Sequence, residues 1–150
     1  MNQTKEQLSI RDIAILKEAF PSEKEFNEAK SRAENGEPLA YLIGEWYFYG
    51  LTFKLNRECL IPRPDTEHIV ETAITLLPQG GSFIDLCSGS GCIAITVLHE
   101  RKDTTADAVE ISEAAWRISK QNAELNGVNN RFNAVNSDIF KYTPQKNIIA

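Results

Sequence analysis

IDLCSGSGCIAI, residues Ile84 to Ile95, joins an apolar run ending in an acid to a second apolar run through glycines spaced by small polar residues. A short apolar run, a glycine turn and a longer apolar segment read as strand, tight turn and helix. Gly89-Ser90-Gly91-Cys92-Ile93-Ala94 fits the pattern G-x-G-x-x-[GA], whose bare backbone lets a nucleotide-bearing ligand come close. Glu110 ends the next apolar run, 19 residues after Gly91, where an acid would grip a ribose diol.

The same alternation continues on both sides. Before the loop, the pattern predicts a helix over 66–77, closed by Pro78, and a strand over 82–86. After it come a helix over 92–100, a strand over 106–110, and a long helix from Ser112 to Asn126 that stops at Gly127. A strand over 131–135 follows, and Asn147 to Ala150 (NIIA) reads as the start of a fourth. This order implies an α/β fold with a parallel sheet, helical layers on its faces and right-handed crossovers. Its apolar final residues would leave an open sheet edge, so the chain is expected to be a fragment.

Asp85 chooses among nucleotide-bearing ligands. A dinucleotide lays its pyrophosphate over such a loop, where a carboxylate four residues before Gly89 would repel it. S-adenosylmethionine carries an ammonium and a sulfonium instead, and an acid favours both. The expectation is therefore an adenosyl-methionine moiety over Cys87, Ser88, Gly89, Ser90 and Gly91; a plain helix-capping or strand-end role for Asp85 is the competing reading. Asp138, after the third strand, would accept a hydrogen bond from an adenine amine, with Ile139 as backbone donor and apolar wall. A turn aspartate would look the same. Three acids at three successive strand ends nevertheless fall on the edge where open α/β sheets bind ligands.

Upstream, residues 4–20 read as a helix stopped by Pro21, and a second starts at Ser22, where Glu25 suggests a capping box, and ends at Gly36. Glu45 to Asn56, EWYFYGLTFKLN, reads as a hairpin around Gly50. Its aromatics would pack on helices rather than stack on bases, since no basic stripe accompanies them. The domains expected are a helical segment over 1–44, a hairpin and linker over 45–60, and a cofactor domain over 61–150.

Composition narrows the classes. With 42% hydrophobic and 25% charged residues in 150, the chain has the makeup of a globular protein. No apolar run reaches the roughly 18 residues of a membrane span. The N-terminus lacks the layout of a signal peptide, so a cytoplasmic location is expected. A net charge of −5 argues against strong direct binding of nucleic acid. Cys59, Cys87 and Cys92 have no C-x-x-C spacing, and His68 and His99 have no partner ligands, so neither a disulfide framework nor a metal site is expected.

Taken together, GEPLAYLIG (36–44), LIPRPDTE (60–67), DLCSGSGCIAI (85–95) and AVEIS (108–112) resemble the HemK/PrmC family of release factor glutamine methyltransferases. The resemblance runs from about Gly36 to Ala150, and its narrowing element is the RPDTE segment placed after a hairpin. It implies a helical domain that recognises the release factor, a hairpin, and a Rossmann-like class I methyltransferase domain. The implied reaction methylates the side-chain amide of the GGQ glutamine in class I peptide-chain release factors. By position, Cys87 to Gly91 would line the methionine and ribose, with Cys87 where many relatives have glycine. Glu110 would bind the ribose hydroxyls, and Asp138 with Ile139 the adenine. Arg63 and Pro64 would border the substrate site, unless they are only a rigid extended lead into a helix capped near Asp65.

Two departures stand out. The helical part before Gly36 is about half the family's usual length. The family's Asn-Pro-Pro-Tyr motif, which holds the target amide, does not occur in the 150 residues. The expectation for this chain alone is cofactor binding with little activity. Competing readings are a nucleic-acid amino methyltransferase, a NAD-dependent oxidoreductase fragment, and a non-enzymatic module that holds a partner.

Overall fold

The first helix, α1 (Ile10–Ala19), begins after Ser9, so residues 7–9 of the expected helix are not helical. Ser9 and Asp12 make the reciprocal cap. The serine Oγ accepts the Asp12 N–H at 3.1 Å, and the Asp12 carboxylate accepts the Ser9 N–H at 3.0 Å. The second helix, α2 (Glu23–Glu34), does start at Ser22, but the expected capping box with Glu25 is not formed. Glu23 and Glu25 in its first turn favour the helix dipole instead. A third helix, α3 (Leu39–Ile43), was not anticipated; it stops at Gly44, whose φ of 82° is left-handed. Leu16, Ala29 and Ala33 form the buried centre of this unit, with Phe20, Phe26 and Leu39 packed around them.

This computed structural model describes residues 7–144, in two compact units that divide between Gly44 and Glu45. Residues 4–6 of the expected first helix, and Asn147 to Ala150, lie outside the described residues.

The second unit opens with the hairpin β1 (Glu45–Phe48) and β2 (Leu51–Lys54), paired with Phe48 opposite Leu51. Tyr49 and Gly50 between them both have positive φ, as a two-residue hairpin turn with the strands' own twist requires. A single 3₁₀ turn (Pro64–Thr66) then leads into α4 (Glu67–Leu76). The helix has no side-chain cap, so the cap expected near Asp65 is replaced by this tighter turn.

From there the chain alternates: β3 (Ser82–Leu86), α5 (Cys92–Glu100), β4 (Thr105–Glu110), α6 (Glu113–Leu125), β5 (Phe132–Asn136). The strands are parallel in the order β3-β4-β5. Register puts Phe83, Ala106 and Phe132 side by side, and likewise Asp85, Ala108 and Ala134. These share one face, and all but Asp85 join Ala94, Ile95, Leu98, Ala123 and Val128 in the main core. Small alanines in the central strand let the helices approach. Because the chain steps twice in one direction, right-handed crossovers put α5 and α6 on the same face. A second helical layer is absent among the described residues.

The lower end of the sheet is closed by two arginines. Arg101 donates to the carbonyls of Ile74 and Leu77, each at 2.9 Å, and Arg131 donates to the Leu98 carbonyl at 2.7 Å. Both thus satisfy the carbonyls that helix ends leave open. On the side of β3 away from β4, Ile69, Ala73, Leu77, Phe83 and Ile84 border an apolar groove of about 560 Å³.

Candidate functional site

Asp85, the loop Cys87 to Gly91, Glu110 and, just after β5, Asp138 and Ile139 lie at the carboxyl ends of the parallel strands, the loop leading directly into α5. Cys87, Gly89 and Gly91 have φ of 60°, 55° and 79°, alternating with Ser88 and Ser90, so the chain folds back within five residues. Ser88 N–H reaches across to the Val109 carbonyl at 3.1 Å, and Gly91 N–H closes on the Ser88 carbonyl at 2.8 Å. The two glycines do different work. A Cβ on Gly91 would meet Ile95 Cδ1 at 2.9 Å and Phe132 Cζ at 3.2 Å, whereas one on Gly89 would meet nothing within 4 Å. Gly91 is therefore where the loop packs on the core, and Gly89 is where it is bare.

Cys87 is the one cysteine among the described residues with an exposed side chain. Its φ is left-handed, a region in which an L side chain costs about 1–2 kcal/mol. Cys87→Gly is expected to raise stability by roughly 0.5–1 kcal/mol, the strain relieved being partly offset by the freer unfolded chain. A urea midpoint at or below that of the parent chain would contradict this. Burial pushes the thiols of Cys59 and Cys92 up to about 11, which makes them poor nucleophiles.

Glu110 is buried and holds the loop from below. Its Oε2 accepts the Gly89 N–H at 2.9 Å and its Oε1 accepts the Ser112 N–H at 2.9 Å. Each carboxylate oxygen keeps further acceptor capacity for hydroxyl donors. Asp85, half-buried, accepts the Ala94 N–H at 3.2 Å and so serves the first turn of α5, whose N-cap Gly91 has no side chain to do so. Burial, and to a smaller extent the charge of Glu110, raise its pKa to about 6, against the opposing pull of that Ala94 bond. The capping role weighed for Asp85 in the sequence is therefore present in the structure.

Asp138 and Ile139 follow β5 on the same edge. The Asp138 carboxylate accepts the N–H of Phe140 at 3.0 Å and its carbonyl accepts those of Lys141 and Tyr142, which makes it a turn residue. Hydrogen bonds join Glu110 directly to the glycine loop; those of Asp138 stay within its own turn. Leu86, Ile111 and Phe140 expose apolar surface along the edge. Arg63 is exposed and extended, and Pro64 opens the 3₁₀ turn, as a rigid lead into α4 requires.

One buried polar atom in the loop has no partner. Ser88 is 8% exposed, and its Oγ makes no hydrogen bond. Such a group costs free energy unless something supplies a partner, so an orphaned hydroxyl beside the bare Gly89 and two carboxylates fits a polar ligand. Sequence reading missed Asn122, which is fully buried and bonds both the loop, at Ser90, and the hairpin, at Lys54. The available signal was an amide on the same helical stripe as Ala115, Ser119 and Ala123.

Residues 66–149 match the family model described as the methyltransferase small domain. The chain belongs to this family. Proteins similar to it include the release factor glutamine methyltransferase of Nitratidesulfovibrio vulgaris, 41% identical over 137 residues, covering 87% of this chain and 46% of the relative. The enzyme of the same name from Neisseria gonorrhoeae is 47% identical over 92 residues, covering 61% and 34%. The chain thus spans about half or less of the length of these curated relatives. Among solved structures, a SAM-dependent methyltransferase from Thiobacillus denitrificans in complex with S-adenosyl-L-homocysteine superposes with a TM-score of 0.50. It is 22% identical and covers 57% of this chain and 34% of its own. At that identity the likeness speaks for the fold, a Rossmann-like methyltransferase sheet, which agrees with the expectation from strand and helix order. Among the described residues no helix is long and apolar enough to cross a membrane.

Proposed function

We propose that this chain is the cofactor-binding part of a release factor glutamine methyltransferase, acting in the cytoplasm on class I peptide-chain release factors. S-adenosylmethionine, when bound, supplies an electrophilic methyl group for the side-chain amide nitrogen of the GGQ glutamine. Asp85 holds the ammonium of its methionine part, Glu110 accepts from the ribose hydroxyls, and Asp138 with Ile139 receives the adenine. Cys87 to Gly91 form the bed, in which Ser88 Oγ finds its partner. Arg63 and Pro64 border the substrate side. Residues 61–150 belong to the methyltransferase domain, residues 45–60 are the hairpin and its linker, and residues 1–44 are a helical recognition segment.

The observation that carries the reading is the bare, acid-flanked loop: a backbone cradle open at Gly89, with the carboxylates of Glu110 and Asp85 bonded to it and to the helix that follows. That is a bed for a cationic nucleoside rather than a pyrophosphate. Family membership and the similarity to release factor glutamine methyltransferases support the reaction.

Thermal unfolding with ligand tests the cofactor. S-adenosylhomocysteine at a hundredfold excess over its Kd is expected to stabilise the chain by about 2.7 kcal/mol, and NAD to leave Tm unchanged. Stabilisation by NAD alone would overturn the assignment. Labelled-methyl transfer by a full-length relative carrying these residues tests the substrate: a release factor whose GGQ glutamine is replaced should accept none.

A further inference from the structure

The side-chain amide of Asn122 joins two parts of the second unit that are far apart in sequence. Its Oδ1 accepts the Lys54 N–H at 2.7 Å, and its Nδ2 donates to the Lys54 carbonyl at 3.0 Å and to the Ser90 carbonyl at 2.9 Å. One planar group thus stands in for a neighbouring strand along the end of β2 and also fixes the glycine loop. Both protons and the oxygen are engaged in a site with no exposed surface, so the amide cannot tilt toward one partner without loosening the other. The far end of the hairpin is fixed too: the Tyr49 N–H donates to Glu67 Oε1 at 3.0 Å. Beyond Lys54, Asn56 Nδ2 donates to the Ala114 carbonyl at 3.2 Å, tying the segment that leads to Arg63 to the start of α6.

We propose that Asn122 is a positioning residue that couples occupancy of the glycine loop to the hairpin and to the segment running on to Arg63. The inference rests on the cofactor reading of that loop. A ligand that steadies Ser90 steadies the amide plane, and through it Lys54 and the substrate-side segment. By linkage, whatever fixes the Asn122 amide plane tightens the cofactor. Neighbouring Asn126 supplies a control: its Nδ2 donates to the Thr52 carbonyl and to the backbone carbonyl of Asn122, each at 3.0 Å, and so holds the hairpin on the end of α6 without reaching Ser90 or the Asn122 amide.

Amide hydrogen exchange on the unaltered chain, with and without S-adenosylhomocysteine, reads the coupling. The ligand is expected to slow exchange at Gly89 and Gly91 and, in parallel, at Lys54 by about tenfold. Calorimetry is then expected to give an Asn122→Ala variant roughly tenfold weaker in affinity, and an Asn126→Ala variant within about twofold of the parent. Protection of the loop with Lys54 unchanged would overturn the coupling and leave the cofactor reading standing. So would equal weakening by both variants, which marks mere loosening of the hairpin. No protection at Gly89 or Gly91 would overturn the cofactor reading, and this inference with it. Should Asn122→Ala not fold, the exchange measurement on the parent chain decides alone.

Discussion

Gly91→Ala is expected to lose a large part of the chain's stability, while Gly89→Ala keeps its fold and binds its ligand at least tenfold more weakly. The added methyl at Gly91 falls 2.9 Å from Ile95 Cδ1 and 3.2 Å from both Phe132 Cζ and Ser119 Cβ. Ile95 and Ser119 have no exposed surface and Phe132 little, so none can swing away into solvent. Left-handed strain and overpacking together come to roughly 2–5 kcal/mol, against about 5–15 kcal/mol for a whole small domain. At Gly89 the strain alone remains, about 1 kcal/mol, because nothing lies within 4 Å of the new atom. That open space is the proposed bed, so the methyl is expected to weaken S-adenosylhomocysteine at least tenfold, a change of about 1.4 kcal/mol. Urea unfolding followed by circular dichroism, with calorimetric titration of the soluble variant, separates the two. A Gly91→Ala chain with the parent's midpoint would show that the loop is not wedged against the core. A Gly89→Ala chain with undiminished affinity would put the ligand elsewhere.

That division of labour was only half legible in the sequence. The spacing of the glycines and of Glu110 announced a strand, a turn and an acid at the end of the next strand, and strands β3 to β5 and helices α5 and α6 fell within a residue or two of their expected places. These are long periodic elements, in which local pattern and tertiary burial agree. The failures are short or long-range. Helix α3 has five residues between Pro38 and Gly44, too few for a period to show. Ser22 and Glu25 have the right spacing for a box, but spacing says nothing of the rotamers that must close it, and the box forms instead at Ser9, with an aspartate in the third position. Asn122 bonds partners 68 and 32 residues away, which no local window contains. For Cys87, the residue type conceals a left-handed backbone that glycine would have advertised. At Asp85 the structure shows the cap, through the Ala94 N–H, and the ammonium contact is the proposed role.

Asp85→Asn is expected to stabilise the free chain and to abolish most of its cofactor affinity, two effects of opposite sign from one proton-binding site. Burial raises the pKa of this carboxyl to about 6, above its value of about 3.9 in an unfolded chain. A raised folded-state pKa means that the native state binds the proton more tightly than the unfolded one. The favourable contribution is therefore complete below pH about 4 and is lost as pH rises through about 6, leaving a penalty at neutral pH. Asparagine removes that penalty and can still accept the Ala94 N–H, so the free variant should gain roughly 1–2 kcal/mol at neutral pH once solvent screening of a half-buried group is allowed for. Its stability should also lose the slope between pH about 4 and 6 that the parent shows. The ligand side runs the other way. A carboxylate facing an ammonium contributes about 1.5–3 kcal/mol, so Asp85→Asn should weaken S-adenosylhomocysteine by one to two orders of magnitude. In the parent chain the affinity should fall as pH drops below about 6 and the carboxylate is neutralised, whereas in the variant it should be flat over that range. Calorimetric titrations of both proteins across this interval read both quantities. If the variant binds as tightly as the parent with the same pH profile, Asp85 is a helix cap and nothing more. Only the gain in stability of the free chain would then survive, because it depends on burial and not on the ligand.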